Sequence, residues 1–586
     1  MYILGISCFY HDASACLIKD GKIIAAAEEE RFTRKKHDIS FPENAINFCI
    51  KKAKIFIKDI DYIGFYEKPL LKFERLLFQY IQTFPKSWIS FSNTIPSWMT
   101  EKMRVIKIIK KKLKYKKEVL FIPHHLAHAA SSFYPSPFKS AAVLTVDGVG
   151  EWTTTSFGRA KDTKIHLEKQ IIFPHSLGLL YSTITAYLGF SVNNSEYKVM
   201  GLAPYGNMNP KTNKYYSLLK KVIDIKEDGS YHLEMGYFSY CYKSRMPSKK
   251  LCNLLGGKLE KRGAKMTQRH KDIAAALQLI TEEVIIKMLN YLYKKTKEKN
   301  LVIAGGVALN SVCNGKILKN TPFNEIWIQP AAGDGGTSMG VALYIYHSIL
   351  KNKNRDILSN AYLGPEFNDI QIENFLKRNK IKYSKFSSNE ELINKTATLL
   401  FENNVVGWFQ KGMEWGPRAL GARSILANPS NPNAKELLNL KVKHREKFRP
   451  FAPVVCEDDA KTYFECDSPI PLPTDYMLMV YPIKKKWHKK IPSVTHIDGS
   501  GRLQTIRKHQ NLLYYNLIKQ FGKLSGIPIL INTSFNIRGE PIVCNPYDAY
   551  KCMMGTGIDY LVIGNYFIKR NDNLQDIWDS EKYAND

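Results

Sequence analysis

At 586 residues the chain exceeds what one hydrophobic core can organise, so two or more domains are expected. No apolar run approaches the ~18 residues of a membrane span and Met1-Tyr-Ile-Leu-Gly5 lacks a signal peptide's basic start, so a soluble, unexported, cytoplasmic protein with no membrane partner is expected. The net charge of +31 comes from 85 basic residues of which only 18 are arginine; lysine spread in this way gives solubility and general attraction to anions, so nucleic acid is not expected as a partner.

The opening Tyr2 to Ile18 reads as strand, polar turn and strand, the turn carrying His11, Asp12 and Ser14, and a third strand follows the Asp20-Gly21 hairpin. Glu28 to Asp38 is dense in charge and reads as a solvated loop. Lys102 to Lys117 holds nine basic residues and no acidic one, with Met103, Ile106, Ile109 and Leu113 at helical spacing, which predicts an amphipathic surface helix.

Ile122 to Pro135 places His124 and His128 four residues apart in an alanine-rich run, so on a helix both imidazoles share one face within ~6 Å at Cβ. Ser140 to Phe157 repeats the strand-turn-strand plan with Asp147 at the first strand's end, and a glycine loop ends in Asp334. Two neutral imidazoles with carboxylates suit a working divalent Fe, Mn or Zn site. The cysteines occur singly without a C-x-x-C pair, which argues against thiolate zinc and a disulfide framework and leaves most as small core residues.

Asn194 to Gly206 is rich in turn formers around Lys198 and Gly201 and reads as a cleft wall. Leu301 to Asn310 predicts a buried strand that breaks at Gly305 and Gly306, where a nucleotide can approach the backbone and a helix N-terminus favours phosphate. The polar stretch Lys351 to Asp356 marks the domain boundary, giving domains 1–355 and 356–586. Seven arginines (Arg418, Arg423, Arg445, Arg449, Arg502, Arg507 and Arg538) cluster within 121 residues beyond it and predict a second anion site. Gly412 to Gly421, Phe448 to Pro453 and Asn532 to Asn536, with Ser534 between the two asparagines, are the loops expected to form it.

His11-Asp-Ala-Ser14, His124-His-Leu-Ala-His128, Glu196 to Gly206, Gly305 to Asn310, Gly412 to Gly421, Phe448 to Pro453 and Asn532 to Asn536 together resemble the O-carbamoyltransferases that act on nodulation factors, cephem antibiotics and aminoglycosides, the NodU, CmcH and tobramycin carbamoyltransferase family. The resemblance spans nearly the whole chain. It implies an α/β protein with a two-lobed N-terminal domain of the actin and sugar-kinase (ASKHA) type and a C-terminal YrdC-like domain. It also implies that carbamoyl phosphate is split in the second domain, that ATP captures the carbamate as carbamoyl adenylate, and that the first domain transfers the carbamoyl group to a hydroxyl of a sugar, antibiotic or other secondary metabolite.

On that reading His124, His128, Asp147 and Asp334 hold the metal, with Fe2+ the first choice and Mg2+ or Mn2+ the alternates. Lys198, Gly201, Gly305, Gly306 and Asn310 seat ATP, while Arg418, Arg423, Lys443, Arg449, Asn532, Ser534 and Asn536 hold carbamoyl phosphate. His11 and Asp12 are the catalytic pair, with His11 as general base because its ordinary pKa lies near neutrality. A tRNA threonylcarbamoyl-type modification enzyme is the alternative, and a homodimer is left open.

Overall fold

The computed structural model describes residues 1–100, 102–446 and 448–573. They form two compact units, one of residues 1–26 with 39–357 and the other of residues 27–38 with the chain from 358 onward.

The first unit is built on one strand plan used twice. Its first sheet contains β1 (Tyr2–Ser7), β2 (Ser14–Lys19), β3 (Lys22–Glu28), β4 (Tyr62–Phe65) and β5 (Val119–Phe121), in the order β3-β2-β1-β4-β5. Its second contains β6 (Ser140–Val146), β7 (Thr153–Lys161) and β8 (Lys164–Ile172), then, past the small hairpin β9 (Ile223–Ile225) and β10 (Tyr231–Leu233), β11 (Asn300–Ala304) and β12 (Glu325–Trp327), in the order β12-β11-β6-β7-β8. In each, the leading strand pairs antiparallel with its hairpin partner, Ile6 opposite Ala15 and Val146 opposite Thr155. On its other side it pairs parallel, Ile6 with Phe65 and Thr145 with Ala304. This doubled strand plan makes the first unit an α/β domain of two related lobes. Both leading strands are buried nearly throughout, which explains their continuous apolar runs.

The plan puts two strand-end turns, residues 8–13 and 147–152, at equivalent positions in the two lobes. The lobes differ in the link from fourth to fifth strand, which runs over residues 305–324 in the second lobe and over residues 66–118 in the first. That longer link carries helices Pro69–Gln82, Trp88–Thr100 and Val105–Leu113.

Helix His124–Phe133 lies buried against β6, β11 and helix Thr337–Tyr344. Gly340 permits the helix contact, because a Cβ there would meet the Ala127 carbonyl oxygen at 1.9 Å. Residues read as a polar boundary instead hold this helix's far end. Arg355 donates to the carbonyls of Phe133 (2.6 Å), Tyr134 (3.0 Å) and Ser136 (2.9 Å), satisfying acceptors that a helix C-terminus leaves over.

The second unit holds one nine-stranded sheet of β13 (Ser384–Lys385), β14 (Val406–Phe409), β15 (Arg423–Ala427), β16 (Ala452–Cys456), β17 (Met479–Pro482), β18 (Ser500–Ile506), β19 (Ile529–Ser534), β20 (Tyr560–Ile563) and β21 (Tyr566–Lys569). Their order is β13-β21-β20-β14-β15-β19-β16-β18-β17. Helices Asn389–Phe401 and Leu512–Ser525 pack together over it, closing a core around Trp408, Tyr514, Leu517 and Phe521.

One stretch takes a defined form and two local expectations are corrected. Asn194 to Gly206 is helical over Glu196–Leu202, because the Glu196 carboxylate accepts from the N–H groups of Asn193 (2.9 Å) and Ser195 (3.1 Å) and starts the helix that turn formers alone would not. The basic stretch is a 3-10 turn, Lys102–Arg104, and then helix Val105–Leu113, whose inner stripe is Val105, Ile109 and Leu113 while Ile106 stays exposed. The charged segment after Ala27 is not a solvated loop, since Glu28, Glu29 and Arg31 are buried. Its side chains are held in the second unit: Glu28 accepts from the Gly416 N–H at 2.7 Å, Arg31 donates to the Gly416 carbonyl at 2.7 Å, and Arg34 donates to the carbonyls of Pro541 and Ile542.

Candidate metal centre and anion-binding loops

Helix His124–Phe133 begins where the Glu151 carboxylate accepts from the His124 N–H at 3.1 Å and from the Lys68 N–H at 2.8 Å. Glu151 therefore ties the helix start to the second lobe's turn, a role that nothing in the sequence marks. One turn along, the Nε2 atoms of His124 and His128 face each other at 3.1 Å. Asp147, at the end of β6, reaches His124 Nε2 at 3.3 Å, and Asp334, at the start of a 3-10 turn, reaches His128 Nε2 at 3.3 Å. Ligand atoms from all four buried residues lie within 4.8 Å of one another. His125, between them in sequence, turns away to Thr145 Oγ1 at 2.7 Å.

The donor set fits a divalent cation. Asp334 is almost fully buried, yet neither carboxylate oxygen has a hydrogen-bond donor, a costly state for a charge in low dielectric unless a cation balances it. Two imidazoles with two carboxylates are a mixed nitrogen and oxygen set suited to Fe2+ or Mn2+. As the protein stands, protons do part of that work. Burial alone would lower the His124 pKa, but Asp334 and the hydrogen bond to Asp147 outweigh it and raise it to about 9. Burial opposes charge on Asp147 too, but His124, His128 and the Gly306 N–H hold it well below the usual carboxylate range. A cation entering the site displaces such protons.

His11 stands beside this set. Its Nδ1 meets Asp12 Oδ2 at 3.0 Å and its Nε2 lies 3.5 Å from Asp334 Oδ2. Asp12 takes the left-handed conformation, φ 52°, that this turn requires. Burial lowers the His11 pKa, and the charges of Asp334 and Asp12 reverse that to about 10. A cation on Asp334 offsets the largest single contribution to that pull.

Gly305 adopts φ 97°, and a Cβ there would meet the Val146 carbonyl oxygen at 2.2 Å, so only glycine serves. The next N–H, of Gly306, donates to Asp147 Oδ1 at 2.7 Å. The Asn310 side chain makes a reciprocal amide pair with Gln278 (3.2 and 2.9 Å) and caps the helix that follows. Lys198 is buried on helix Glu196–Leu202 with its Nζ over the Phe190 ring at 5.8 Å, and Gly201 lies in the same helix.

In the second unit Lys443 is the centre of a polar knot. Its Nζ donates to the Ser534 carbonyl and, at 2.9 and 2.8 Å, to the Asn536 carbonyl and Oδ1. Burial, then the neighbouring charges of Arg445 and Arg449, push its pKa well below the usual lysine value. Arg449 lies half-buried just beyond, with its Nη1 3.7 Å from Glu446, and Arg418 is half-buried in the loop after β14.

Arg423 and Asn532 are placed differently. The Arg423 guanidinium donates to the carbonyls of Gln410 (2.7 Å), Lys411 (3.1 Å), Ala422 (3.0 Å) and Pro365 (2.9 Å), so it braces the loops. Asn532 donates to Gln504 Oε1 and the Ala419 carbonyl inside the sheet. Glu414 closes the glycine loop by accepting from the N–H groups of Leu420, Ala422 and Arg423 through one oxygen, at 2.7–3.0 Å. Of the other arginines grouped by sequence, Arg507 pairs with Asp475 at 2.9 Å, while Arg538 donates to the His444 carbonyl at 3.0 Å. Eight of the ten cysteines are buried.

Residues 2–343 match the model described as carbamoyltransferase N-terminus, and residues 397–570 match that described as carbamoyltransferase C-terminus. An uncharacterized protein of Synechocystis sp. is 45% identical over 98% of this chain and 97% of its own length. Nodulation protein NolNO of Sinorhizobium fredii is 34% identical over 97% of this chain and 80% of its own. No helix among the described residues is long and apolar enough to cross a membrane. With matches to both family models and relatives that run nearly its full length, the chain belongs to the carbamoyltransferase family.

Proposed function

We propose that the protein is an O-carbamoyltransferase that uses carbamoyl phosphate and ATP to make carbamoyl adenylate and moves the carbamoyl group to a hydroxyl of a small molecule. The observation that carries this reading is the position of His11, whose Nε2 lies 3.5 Å from Asp334 at the edge of a four-residue metal set. A titratable ring there is placed to handle the proton of a hydroxyl.

Three reactions follow in order. Water splits carbamoyl phosphate to carbamate and phosphate, with Arg418 and Arg449 supplying positive charge and Lys443, held by Ser534 and Asn536, completing the site. A carbamate oxygen attacks the α-phosphorus of ATP, pyrophosphate leaves, and carbamoyl adenylate forms; backbone N–H groups at Gly305 and Gly306 seat the nucleotide. The acceptor oxygen then attacks the carbamoyl carbon, the bond from that carbon to AMP breaks, and the hydroxyl proton passes to His11 Nε2. Asp12, 3.0 Å from Nδ1, keeps the other ring proton on Nδ1 and so leaves Nε2 free for the task. A divalent cation held by His124, His128, Asp147 and Asp334, with Fe2+ the first choice and Mg2+ or Mn2+ the alternates, would supply positive charge to the ATP-derived phosphate.

The test separates the half-reactions. Arg449→Ala is expected to lower turnover of carbamoyl phosphate at least ~10-fold, the worth of a charge-assisted hydrogen bond, while still transferring from supplied carbamoyl adenylate. His11→Ala is expected to keep releasing phosphate and pyrophosphate while transfer to the hydroxyl falls by roughly 10²–10⁴-fold. Equal failure of both variants in both half-reactions would overturn the assignment.

A further inference from the structure

Helix Pro69–Gln82 is built inside out. Its buried positions include Lys72 and Arg75, only 6% and 5% exposed, whereas Leu70, Phe78 and Ile81 on its other side are 69%, 49% and 73% exposed. The inner charges have partners beneath the helix, from the link itself and from both lobes: Lys72 bonds Glu67 at 2.5 Å and lies over the Tyr10 ring, and Arg75 lies over the Phe173 ring and reaches the Gly150 carbonyl at 3.4 Å. In the apolar stripe the Phe78 ring meets the edge of Trp152 at 5.6 Å, and the stripe continues past the helix through Phe84, Trp88 and Ile89, all more than half exposed.

The doubled plan does not require this layer, because the second lobe joins the same two strands through residues 305–324 alone. Helices Pro69–Gln82 and Trp88–Thr100 pack on each other and on the turn Lys102–Arg104 that leads into helix Val105–Leu113, with Trp98 against Phe73 at 6.0 Å and the Lys102 Nζ over the Trp98 ring at 5.2 Å. The apolar stripe is thereby joined to the stretch Lys102 to Lys117, with nine basic residues and no acidic one, where Lys107, Lys110 and Lys111 are exposed.

We infer that the helical layer of residues 69–117 docks this protein on an anionic phospholipid surface. Outward isoleucines, leucine and aromatic rings beside exposed lysines are the combination that enters a headgroup layer, apolar side chains among the acyl chains and cations among the phosphates. A second copy of the chain is a poorer occupant, since it would bring another lysine-rich face against this one. Nucleic acid would match the lysines but leave Leu70, Ile81 and Ile89 without a stacking role.

The test is co-sedimentation of the full chain with phosphatidylcholine vesicles and with vesicles of which about one third is phosphatidylglycerol. The expected result is partition onto the anionic vesicles at ~0.05 M salt, weakening towards ~0.5 M as the charges are screened. Phe78→Ser/Ile81→Ser/Trp88→Ser/Ile89→Ser is expected to bind at least ~10-fold more weakly, as is Lys107→Gln/Lys110→Gln/Lys111→Gln, both with unchanged metal content and circular dichroism. Should the serine variant not fold, the lysine variant and the salt titration still decide. Unmodified protein left in the supernatant, or folded variants that sediment as well as it does, would overturn the inference. A dimer or a tRNA complex that the serine substitutions abolish, without vesicle binding, would reassign the face to that partner.

Discussion

A buried imidazole sits easily while neutral and poorly once charged, and His347 makes the difference measurable. It is fully buried, stacks on Tyr134 with ring centroids 4.5 Å apart, and donates from Nδ1 to the Asn352 carbonyl at 2.8 Å. Burial pushes its pKa down to about 4, with Arg355 adding to the effect and the Asn352 carbonyl opposing it. Between the unfolded value near 6.5 and that folded value, the unfolded chain binds a proton that the folded one does not. The stabilising effect of neutral His347 is therefore complete above pH 6.5 and is lost as pH falls towards about 4. In urea titrations the advantage of the wild type over His347→Gln should shrink by roughly 1–2 kcal/mol from pH 7 to pH 5; a constant gap would contradict the assignment. Single residues also show where sequence reading stops. His124 and His128 carry a spacing, and Asp147 and Asp334 stand at strand ends, so their meeting is legible. Glu151, Arg423 and Asn310 carry no such mark, because what defines them is which carbonyl, N–H or amide lies opposite.

Among the elements, the contact between helices His124–Phe133 and Thr337–Tyr344 sets the spacing of the candidate metal ligands, since the first carries both histidines and the second follows the turn bearing Asp334. Gly340 sits at their closest approach. Gly340→Val should force the helices apart, destabilise the protein by roughly 1–3 kcal/mol, and lower the metal bound at limiting cation even where the variant stays folded. Gly236→Ala is a suitable control, because its added Cβ would meet only the ends of Lys250 and Glu234, at 3.4 Å or more. Unchanged metal content in a folded Gly340→Val would separate the packing from the site. Both lobes' strands are readable from apolar runs broken by polar turns. The inverted helix Pro69–Gln82 is not, because helical spacing gives two stripes and does not say which faces the core. Here the charged stripe faces inward because Glu67, Tyr10 and the Gly150 carbonyl lie there to receive it.

For the molecule as a whole, the division into two units is not a division of the chain into two halves, because residues 27–38 belong with the chain from 358 onward while both their flanks belong to the first unit. Sequence reading sees one composition break near residue 355 and misses this, since nothing in Glu28 to Asp38 says that its charges are matched by a glycine loop hundreds of residues later. Glu28 and Arg31 grip the N–H and the carbonyl of Gly416, and Arg34 holds Pro541 and Ile542, so the segment supports the loops near Arg418 and Asn536. A fragment starting at residue 358 should therefore unfold at lower denaturant than the same fragment fused to residues 27–38, by roughly 2–4 kcal/mol for the lost buried charges and hydrogen bonds. Equal midpoints would show the segment to be dispensable. The same threading restricts how such proteins can be recombined. A chimera made by one exchange near residue 357 inherits its 27–38 segment from one parent and the loops it supports from the other. Working hybrids need three exchange points, so that residues 27–38 travel with the second unit.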